Sequence, residues 1–203
     1  MSHPAHPQFW NERYVSGSLP WDFGGVPASL KEFLGRKRQA PPGRLLVPGC
    51  GSGHEIKAFA DAGYDVTAID FAPAAVARAK QIAGETLAGR IHEADFFNHP
   101  FADGEFDLVY ERTFLCAIPP EKRSAYRDRI ARLLKPRGQF IGYFYYAKTD
   151  PKDGPPYGLA WGEGDELFSR HFLLMKDDPV NDSLPVFAGR ERWQERMRTN
   201  KPV

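Results

Sequence analysis

Residues 44–70, RLLVPGCGSGHEIKAFADAGYDVTAID, decide the fold of this chain. A short apolar run leads into a glycine-rich turn, a helical stretch follows, and a second apolar run ends in the carboxylate of Asp70. The glycines Gly49, Gly51 and Gly53 let the backbone turn sharply and approach a ligand that any Cβ would hold off. Asp70 then stands where a ribose diol would arrive. The segment therefore predicts one βαβ half of a nucleotide-binding fold.

The spacing of the glycines argues against a dinucleotide as the ligand. A nicotinamide fingerprint requires G-x-G-x-x-G, but His54 occupies the last glycine position when counting starts at Gly49, and Ile56 occupies it when counting starts at Gly51. The tighter G-x-G-x-G form resembles the first motif of the class I methyltransferases. Their cofactor, S-adenosylmethionine, carries a ribose but no phosphate.

Length and composition agree with one soluble α/β domain over residues 1–203. Within it we expect an N-terminal helical and aromatic lid at 1–40 and a Rossmann-like core at 44–203. The 27 Lys and Arg residues nearly balance the 26 Asp and Glu residues, so we expect neither a nucleic-acid nor a membrane partner. The sequence shows no signal peptide and no apolar run of about 18 residues, which predicts a cytoplasmic protein. Two distant cysteines predict reduced thiols, and the histidine spacing predicts no metal site.

The rest of the chain alternates strand and helix patterns, which is typical of a parallel sheet covered by helices on both faces. Predicted strands lie at 45–47, 66–69, 90–94, 106–110 and 139–146, and an antiparallel edge hairpin is predicted from 172–176 and 193–198. Predicted helices lie at 7–14, 27–37, 55–62, 73–82, 121–134 and 163–169. Residues 40–43 read as a linker, 135–138 as a turn that closes a helix, and 149–162 as a loop. The prediction is an α/β fold of the Rossmann-like class I methyltransferase type with a mostly parallel seven-stranded sheet.

Several motifs in order resemble the thiopurine S-methyltransferases and their halide, thiol and thiocyanate methyltransferase relatives. These motifs are W-x₃-Y-x₆-W from Trp10 to Trp21, VPGCGSG at 47–53, Asp70, ADFF at 94–97, ERTFLCAIPP at 111–120 and GPPY at 154–157. Within ERTFLCAIPP, Arg112 resembles the arginine of the thiopurine enzymes. The TFLCAI segment instead resembles the corresponding segment of the halide and thiocyanate enzymes. The resemblance covers nearly the whole chain.

The resemblance implies a site for S-adenosylmethionine, with S-adenosylhomocysteine as the product. The implied cofactor-binding residues are Trp10, Trp21, Gly49, Gly51, Gly53, Asp70, Phe71, Asp95, Phe96 and Arg112. Asp95 follows the third strand, where it can accept from the adenine amino group while Phe96 borders the ring. The competing interpretation makes Asp95 an acidic turn residue.

An aromatic surround suits a sulfonium because aromatic faces stabilise nearby cations and exclude water. Trp21, in a loop flanked by Pro and Gly, favours such a role, and Trp10 tends the same way. For Tyr14 a hydrophobic staple of the N-terminal helix is the simpler interpretation. The implied substrate lid comprises Tyr14, Trp21, Phe114 and Tyr157.

Arg112 is predicted just past the fourth strand, where its planar donor fork suits a cofactor carboxylate or an anionic substrate. An ordinary surface pair with Glu111 is the alternative. Cys116 is assigned to the core.

The predicted activity is in-line transfer of a methyl group to a small soft nucleophile such as a thiol, a thiopurine, thiocyanate or a halide, with no dedicated general base. One alternative is methylation of a metalloid oxyanion or of oxygen or nitrogen in another small molecule. A second alternative is a non-catalytic protein that binds S-adenosylmethionine. A monomer is expected, because no heptad pattern is present.

Overall fold

The computed structural model of the chain describes residues 3–36, 42–147 and 154–203. Residues 40–41 of the linker predicted at 40–43, the last residue of the helix predicted at 27–37 and residues 149–153 of the loop predicted at 149–162 lie outside these residues. The chain forms two compact units, residues 1–99 and residues 100–203. The predicted division into a lid at 1–40 and a core at 44–203 stays a prediction.

The first unit alternates helices with three strands. Its elements are α1 (Pro7–Ser16), α2 (Ala28–Gly35), β1 (Arg44–Pro48), α3 (His54–Asp61), β2 (Asp65–Asp70), α4 (Pro73–Ala83), α5 (Glu85–Ala88) and β3 (Ile91–Glu93). Strand β2 lies between β1 and β3, and both pairings are parallel. The predicted βαβ half is therefore present as β1, α3 and β2.

Burial explains why these segments adopt their elements. Leu45 and Leu46 on β1 are fully buried, which is typical of a strand covered on both faces. Helix α3 buries Ile56 and Phe59. Pro73 opens α4 at a position where its missing N–H has no helical partner to lose.

The described residues of the second unit form four strands in the order β4, β5, β7, β6. Its elements are β4 (Phe106–Arg112), α6 (Arg123–Leu133), β5 (Leu134–Tyr145), α7 (Glu163–Phe168), β6 (Phe172–Pro179) and β7 (Glu191–Arg198), with short 3-10 turns at Pro120–Lys122 and Pro185–Phe187. Strands β4 and β5 are parallel, whereas β7 is antiparallel to both β5 and β6. The core is aromatic: the Phe140 ring lies 5.4 Å from the rings of Phe144 and Phe168 and 5.6 Å from that of Phe172.

Seven strands are present among the described residues, mostly in parallel pairs and with antiparallel strands at the C-terminal end, so the predicted fold class is confirmed. Strands β6 and β7 are longer than the predicted 172–176 and 193–198, and two further boundaries were wrong. Strand β4 continues through Glu111 and Arg112 instead of ending at residue 110, because both residues pair with β5. Strand β5 begins at Leu134, so the predicted turn at 135–138 lies within it.

The irregular start of β5 explains the second error. A register shift between Phe106 and Leu108 and a positive φ of 65° at Arg137 accommodate the proline and glycine in the strand pair. A local sequence pattern does not reveal such a bulge. The four-residue helix α5 and the two 3-10 turns were also not predicted.

Candidate active site

The turn after β1 depends on its glycines. Gly49, Gly51 and Gly53 all have positive φ, at 58°, 54° and 69°. A Cβ on Gly51 would lie 2.6 Å from the Tyr14 hydroxyl, and one on Gly53 would lie 2.8 Å from the Cβ of Ala79. The turn therefore needs glycine both for its backbone angles and for its close contacts.

Asp70 holds this turn from the end of β2. Its Oδ2 accepts the Gly51 N–H at 3.0 Å, and its Oδ1 accepts the Ala72 N–H at 2.9 Å. Burial raises the pKa of the Asp70 carboxyl, although hydrogen bonds from the backbone N–H groups of Ala72, Gly51 and Phe71 act in the opposite direction. A buried carboxylate is thus placed beside the glycine turn, as predicted.

The aromatic residues of the N-terminal segment contact one another and the turn. The Trp21 ring lies 5.4 Å from the Trp10 ring and 6.3 Å from the Tyr14 ring. Tyr14 is not a staple of α1, because its hydroxyl lies against Gly51 and makes a hydrogen bond with Trp21. Burial, followed by the charge of Asp70, raises the pKa of Tyr14 far above its ordinary value.

These residues fit a cofactor that carries a ribose and a cationic sulfur. A carboxylate can accept about four hydrogen bonds, and the three backbone donors on Asp70 leave capacity for a ribose hydroxyl. Trp10, Tyr14 and Trp21 supply aromatic surfaces in the same unit. The fit rests on Asp70 and its position at the end of β2.

The segment after β3 gives weaker support for a cofactor site. Asp95 is exposed, its Oδ1 accepts the Phe97 N–H at 2.9 Å, and its Oδ2 accepts from the Asn98 amide at 2.6 Å. This is the geometry of a turn residue, the competing interpretation from the sequence. Phe96 is buried, with its ring 5.3 Å from that of Phe97, and Phe71 is partly buried. Contact of Asp95 with adenine stays a prediction.

Arg112 lies at the end of β4 in the second unit and does not form a surface pair with its neighbour Glu111. Its Nη1 lies 3.7 Å from Oε1 of Glu191 on β7, and both side chains are nearly buried. The guanidinium carbon lies 4.4 Å from the centre of the Tyr143 ring. Arg112 is therefore a buried cation held between a carboxylate and an aromatic face.

Glu111 organises the turn that follows β4. Its Oε1 accepts the N–H groups of Phe114 and Leu115 at 2.9 and 2.8 Å, and its Oε2 accepts the Tyr126 hydroxyl. Burial raises the pKa of Glu111 to about 7 against the lowering effect of these hydrogen bonds. Thr113, between Glu111 and Phe114, has a positive φ of 61°. A buried acid thus stabilises a strained turn.

A small cavity of the second unit opens beside this turn. It is lined by Glu111, Leu115, Cys116, Tyr143, Phe144, Tyr145, Tyr157 and Leu159. The Tyr157 N–H donates to the Cys116 carbonyl at 2.7 Å, so the GPPY segment is fastened to the turn. The ring of Phe114, the other predicted lid residue of this unit, lies 5.7 Å from the ring of Tyr126.

Other predicted features can be placed in the same way. Cys50 and Cys116 are both buried and free, which agrees with reduced thiols and with Cys116 in the core. In the part of the chain that the structure describes, no cluster of His, Cys, Asp and Glu could hold a metal ion. No helix within the same part is long and apolar enough to cross a membrane.

The sequence interpretation missed three carboxylates that organise these regions. Asp22 contacts Ser52 in the glycine turn, Glu111 holds the turn after β4, and Glu191 pairs with Arg112. Glu111 carried a signal, since an acid inside an apolar strand indicates a buried role. Asp22 and Glu191 carried none, because their partners are distant in the sequence.

The fold and the cofactor region together define an S-adenosylmethionine-dependent methyltransferase of class I. The chain is similar in structure to magnesium protoporphyrin IX methyltransferase from Synechocystis PCC 6803, determined with bound S-adenosylmethionine. The TM-score is 0.74 at 19% sequence identity, and the match covers 98% of this chain and 99% of the other. At this identity the likeness shows the fold.

Sequence comparison identifies the family. A sequence profile of the thiopurine S-methyltransferase family matches residues 5–200, and the chain belongs to this family. It is 30% identical to thiocyanate methyltransferase 1 from Arabidopsis thaliana over 197 residues, which is 92% of this chain and 84% of the relative. It is 24% identical to a thiopurine S-methyltransferase from Vibrio atlanticus over 210 residues, covering 95% of this chain and 96% of the relative. The predicted family resemblance is confirmed.

Proposed function

We propose that the chain transfers a methyl group from S-adenosylmethionine to a small soft nucleophile: a thiol, a thiopurine, thiocyanate or a halide. The observation that carries this proposal is the cavity of the second unit. Aromatic and apolar side chains line most of it, and its carboxyl group, Glu111, is already engaged by protein donors.

The ionisable groups of the cavity are poorly suited to act as a general base. Both oxygens of Glu111 accept hydrogen bonds from the protein. Burial raises the pKa of the Cys116 thiol far above its ordinary value, and its Sγ donates to the Thr113 carbonyl. Burial also raises the pKa of Tyr157. An acceptor that is already an anion, or that ionises without help, suits such a site better than an alcohol or an amine.

Arg112 supplies a cation that an anionic acceptor can approach. Its contact with Glu191 neutralises part of its charge. We assign the remaining positive charge of Arg112 to orienting the acceptor and to favouring the ionised form of the acceptor. The Tyr143 face restricts the guanidinium plane. The chain's contribution is then alignment and exclusion of water.

The first unit is proposed to hold the cofactor. When bound, S-adenosylmethionine supplies an electrophilic methyl group on a positively charged sulfur. Asp70 would accept a hydrogen bond from a ribose hydroxyl, and the aromatic faces would stabilise the cation and keep water away. The residues of this unit assigned to the cofactor are Trp10, Trp21, Gly49, Gly51, Gly53, Asp70, Phe71, Asp95 and Phe96. Arg112 of the second unit is assigned to an anionic group of the cofactor or of the acceptor, and the residues assigned to the lid are Tyr14, Trp21, Phe114 and Tyr157.

The names of the relatives support a soft acceptor. The Arabidopsis thaliana relative is a thiocyanate methyltransferase, and the Vibrio atlanticus relative is a thiopurine S-methyltransferase. Both names describe transfer to sulfur compounds. We further propose that the chain is cytoplasmic and acts as a monomer. Size-exclusion chromatography with light scattering tests the monomer directly.

The test compares matched acceptors that differ in the attacking atom. Thiophenol, phenol and aniline share one ring, and hydrosulfide, thiocyanate, iodide, a thiopurine, selenite and tellurite extend the series. We expect kcat/KM for thiophenol to exceed that for phenol and aniline by at least about 100-fold, because only the thiol ionises readily near neutral pH. A preference for phenol, aniline or the oxyanions would support the alternative acceptors. Cofactor binding without transfer to any acceptor would support a non-catalytic binding protein.

A pH series tests the absence of a general base. With two aryl thiols of different acidity, the midpoint of the kcat/KM profile should follow the pKa of the thiol. Thiocyanate and iodide, which carry no proton at these pH values, should lack this dependence. One midpoint shared by all acceptors would indicate an enzyme base and contradict the proposal.

A further inference from the structure

Asp22 lies in the irregular loop between α1 and α2, directly after Trp21. Loop carboxylates are usually solvated, but the Asp22 side chain is only 11% exposed. Its Oδ1 accepts the Gly24 N–H at 2.9 Å, which closes a tight turn of the loop itself. The buried position of Asp22 therefore requires further partners.

One partner belongs to the glycine turn. The Ser52 hydroxyl donates to Oδ2 of Asp22 at 2.6 Å, and Ser52 is itself buried between Gly51 and Gly53. This hydrogen bond joins positions that are 30 residues apart in the chain. The loop that carries Trp21 is thereby fastened to the turn that the first unit needs for its cofactor.

A histidine and an arginine complete the surroundings of Asp22. The His54 Nε2 lies 2.9 Å from Oδ1, without the alignment of a hydrogen bond, and Nη2 of Arg78 on α4 lies 3.5 Å from Oδ2. Burial alone would raise the pKa of Asp22, but the hydrogen bonds from Ser52 and Gly24 and the charges of His54 and Arg78 lower it. The carboxylate is therefore held in its charged form at a junction of the loop, the glycine turn, α3 and α4.

The N-terminal segment touches the rest of the first unit at other points as well. The Asn11 side chain accepts the Ala74 N–H at 2.9 Å, and the Tyr14 hydroxyl lies on Gly51. These contacts fix α1, whereas Asp22 fixes the loop that follows it. Trp21 contacts Trp10 and Tyr14 through its side chain, and its backbone is next to Asp22, so the Asp22 contact also helps to place it.

We propose that Asp22 is the positioning residue that latches the Trp21 loop onto the glycine turn through Ser52, and that this latch sets how long the cofactor remains bound. The proposal rests on the assignment of the cofactor site to the first unit. A latch of this kind acts on release, because the loop must part from the turn before a ligand beneath it can leave.

The test measures binding of S-adenosylhomocysteine to the whole chain, by titration calorimetry for Kd and by stopped-flow tryptophan fluorescence for the two rate constants. In Asp22→Asn and in Ser52→Ala, we expect Kd to rise roughly tenfold through faster dissociation, with the association rate changed less than about threefold. The double variant should be little worse than the weaker-binding single variant, because both changes act on the same contact: Ser52→Ala removes the donor, and Asp22→Asn removes the charge of the acceptor. Asp61→Asn is the matched control, since Asp61 pairs with Lys57 on the exposed side of α3.

The possible results distinguish a failure of the latch proposal from a failure of the cofactor-site assignment. If the wild type does not bind S-adenosylhomocysteine, the assignment of the cofactor fails. If the wild type binds but both single variants keep its Kd and its dissociation rate, the latch is wrong. Additive effects of the two changes, or a loss confined to the association rate, would also overturn it. Circular dichroism identifies a variant that has merely unfolded, and Ser52→Ala provides the test if Asp22→Asn does so.

Discussion

The two units contain two tight turns, each at the end of a parallel strand, and they stabilise them differently. The turn after β1 has three glycines with positive φ, and its carboxylate partner, Asp70, comes from the next strand. The turn after β4 has no glycine, and Thr113 takes a positive φ of 61°. There the carboxylate partner, Glu111, belongs to the strand that the turn follows.

The difference separates a turn built for close approach from a turn built for rigidity. Glycine lets the Tyr14 hydroxyl and the Ala79 side chain lie directly against the backbone of the first turn. In the second turn, two N–H groups converge on the buried Glu111 carboxylate, and the side chains of Arg112 and Phe114 are retained for contacts. The first turn therefore suits close approach of other groups to its backbone, and the second suits presentation of side chains.

The largest expected effect concerns the support of the second turn. Gly142 on β5 has a φ of 151°, and a Cβ added there would overlap the Glu111 carbonyl oxygen. Because both atoms belong to paired strands, neither can move without breaking the pairing. Gly142→Ala should cost about 4 kcal/mol or more, measured by urea unfolding. A loss below about 1 kcal/mol would show that the strands adjust freely.

The next effect uses the titration of Glu111. Its pKa is raised from 4.5 to about 7 in the folded chain, so the folded state binds the extra proton. Stability should therefore fall as pH rises from 4.5 through about 7, by about 3 kcal/mol in total. Glu111→Gln should remove this dependence.

The measurement is urea unfolding of wild type and Glu111→Gln at pH 5 and pH 8. The free energy of the wild type relative to the variant should drop between these two pH values by about 2 to 3 kcal/mol. The exposed Asp61→Asn change should show no comparable trend. A difference that does not change with pH would mean that Glu111 is charged throughout.

A smaller effect is expected in the glycine turn. Gly51→Ala forces a side chain into a φ of 54° and places its Cβ against the Tyr14 hydroxyl. It should cost about 1 to 2 kcal/mol, because the tyrosine can move aside. It should also weaken S-adenosylhomocysteine binding, which the same sample reports by calorimetry. Unchanged binding would mean that Gly51 does not contribute to the cofactor site.

The smallest effect is expected when a glycine is introduced into the second turn. Thr113→Gly relieves a positive φ but adds freedom to the unfolded chain, so we expect stability to rise by only about 0.5 kcal/mol. Thermal and urea unfolding together can resolve a change of this size. A marked loss of stability would show that the Thr113 side chain contributes more than its backbone strain costs.

The sequence predicted those parts of the molecule whose signals are local. The apolar runs of β1 and β2 and the spacing of the glycines lie within one short segment, and Asp70 was placed correctly beside the turn. The proline and glycine of residues 135–138 are also local signals, but they misled because the β4–β5 pairing absorbs them in a bulge. Pairing between strands overrides turn propensity there.

For the site as well, the sequence predicted only those features that depend on local signals. Arg112 could be named from its motif, but its partner Glu191 lies far along the chain on β7. Asp22 gave no sign that it reaches Ser52. Tyr14 was assigned to a helix staple because its contact with Gly51 depends on tertiary packing. Such long-range contacts follow from how the chain folds and cannot be derived from residue spacing.

The most direct test of the account is titration of the wild type and of Asp70→Asn with S-adenosylmethionine. Asparagine keeps the size of the side chain and one carbonyl oxygen but removes the charge. We predict that the wild type binds one equivalent and that Asp70→Asn binds at least about tenfold more weakly. No binding by the wild type, or equal affinity of the two proteins, would contradict the assignment of this turn and its carboxylate to the cofactor.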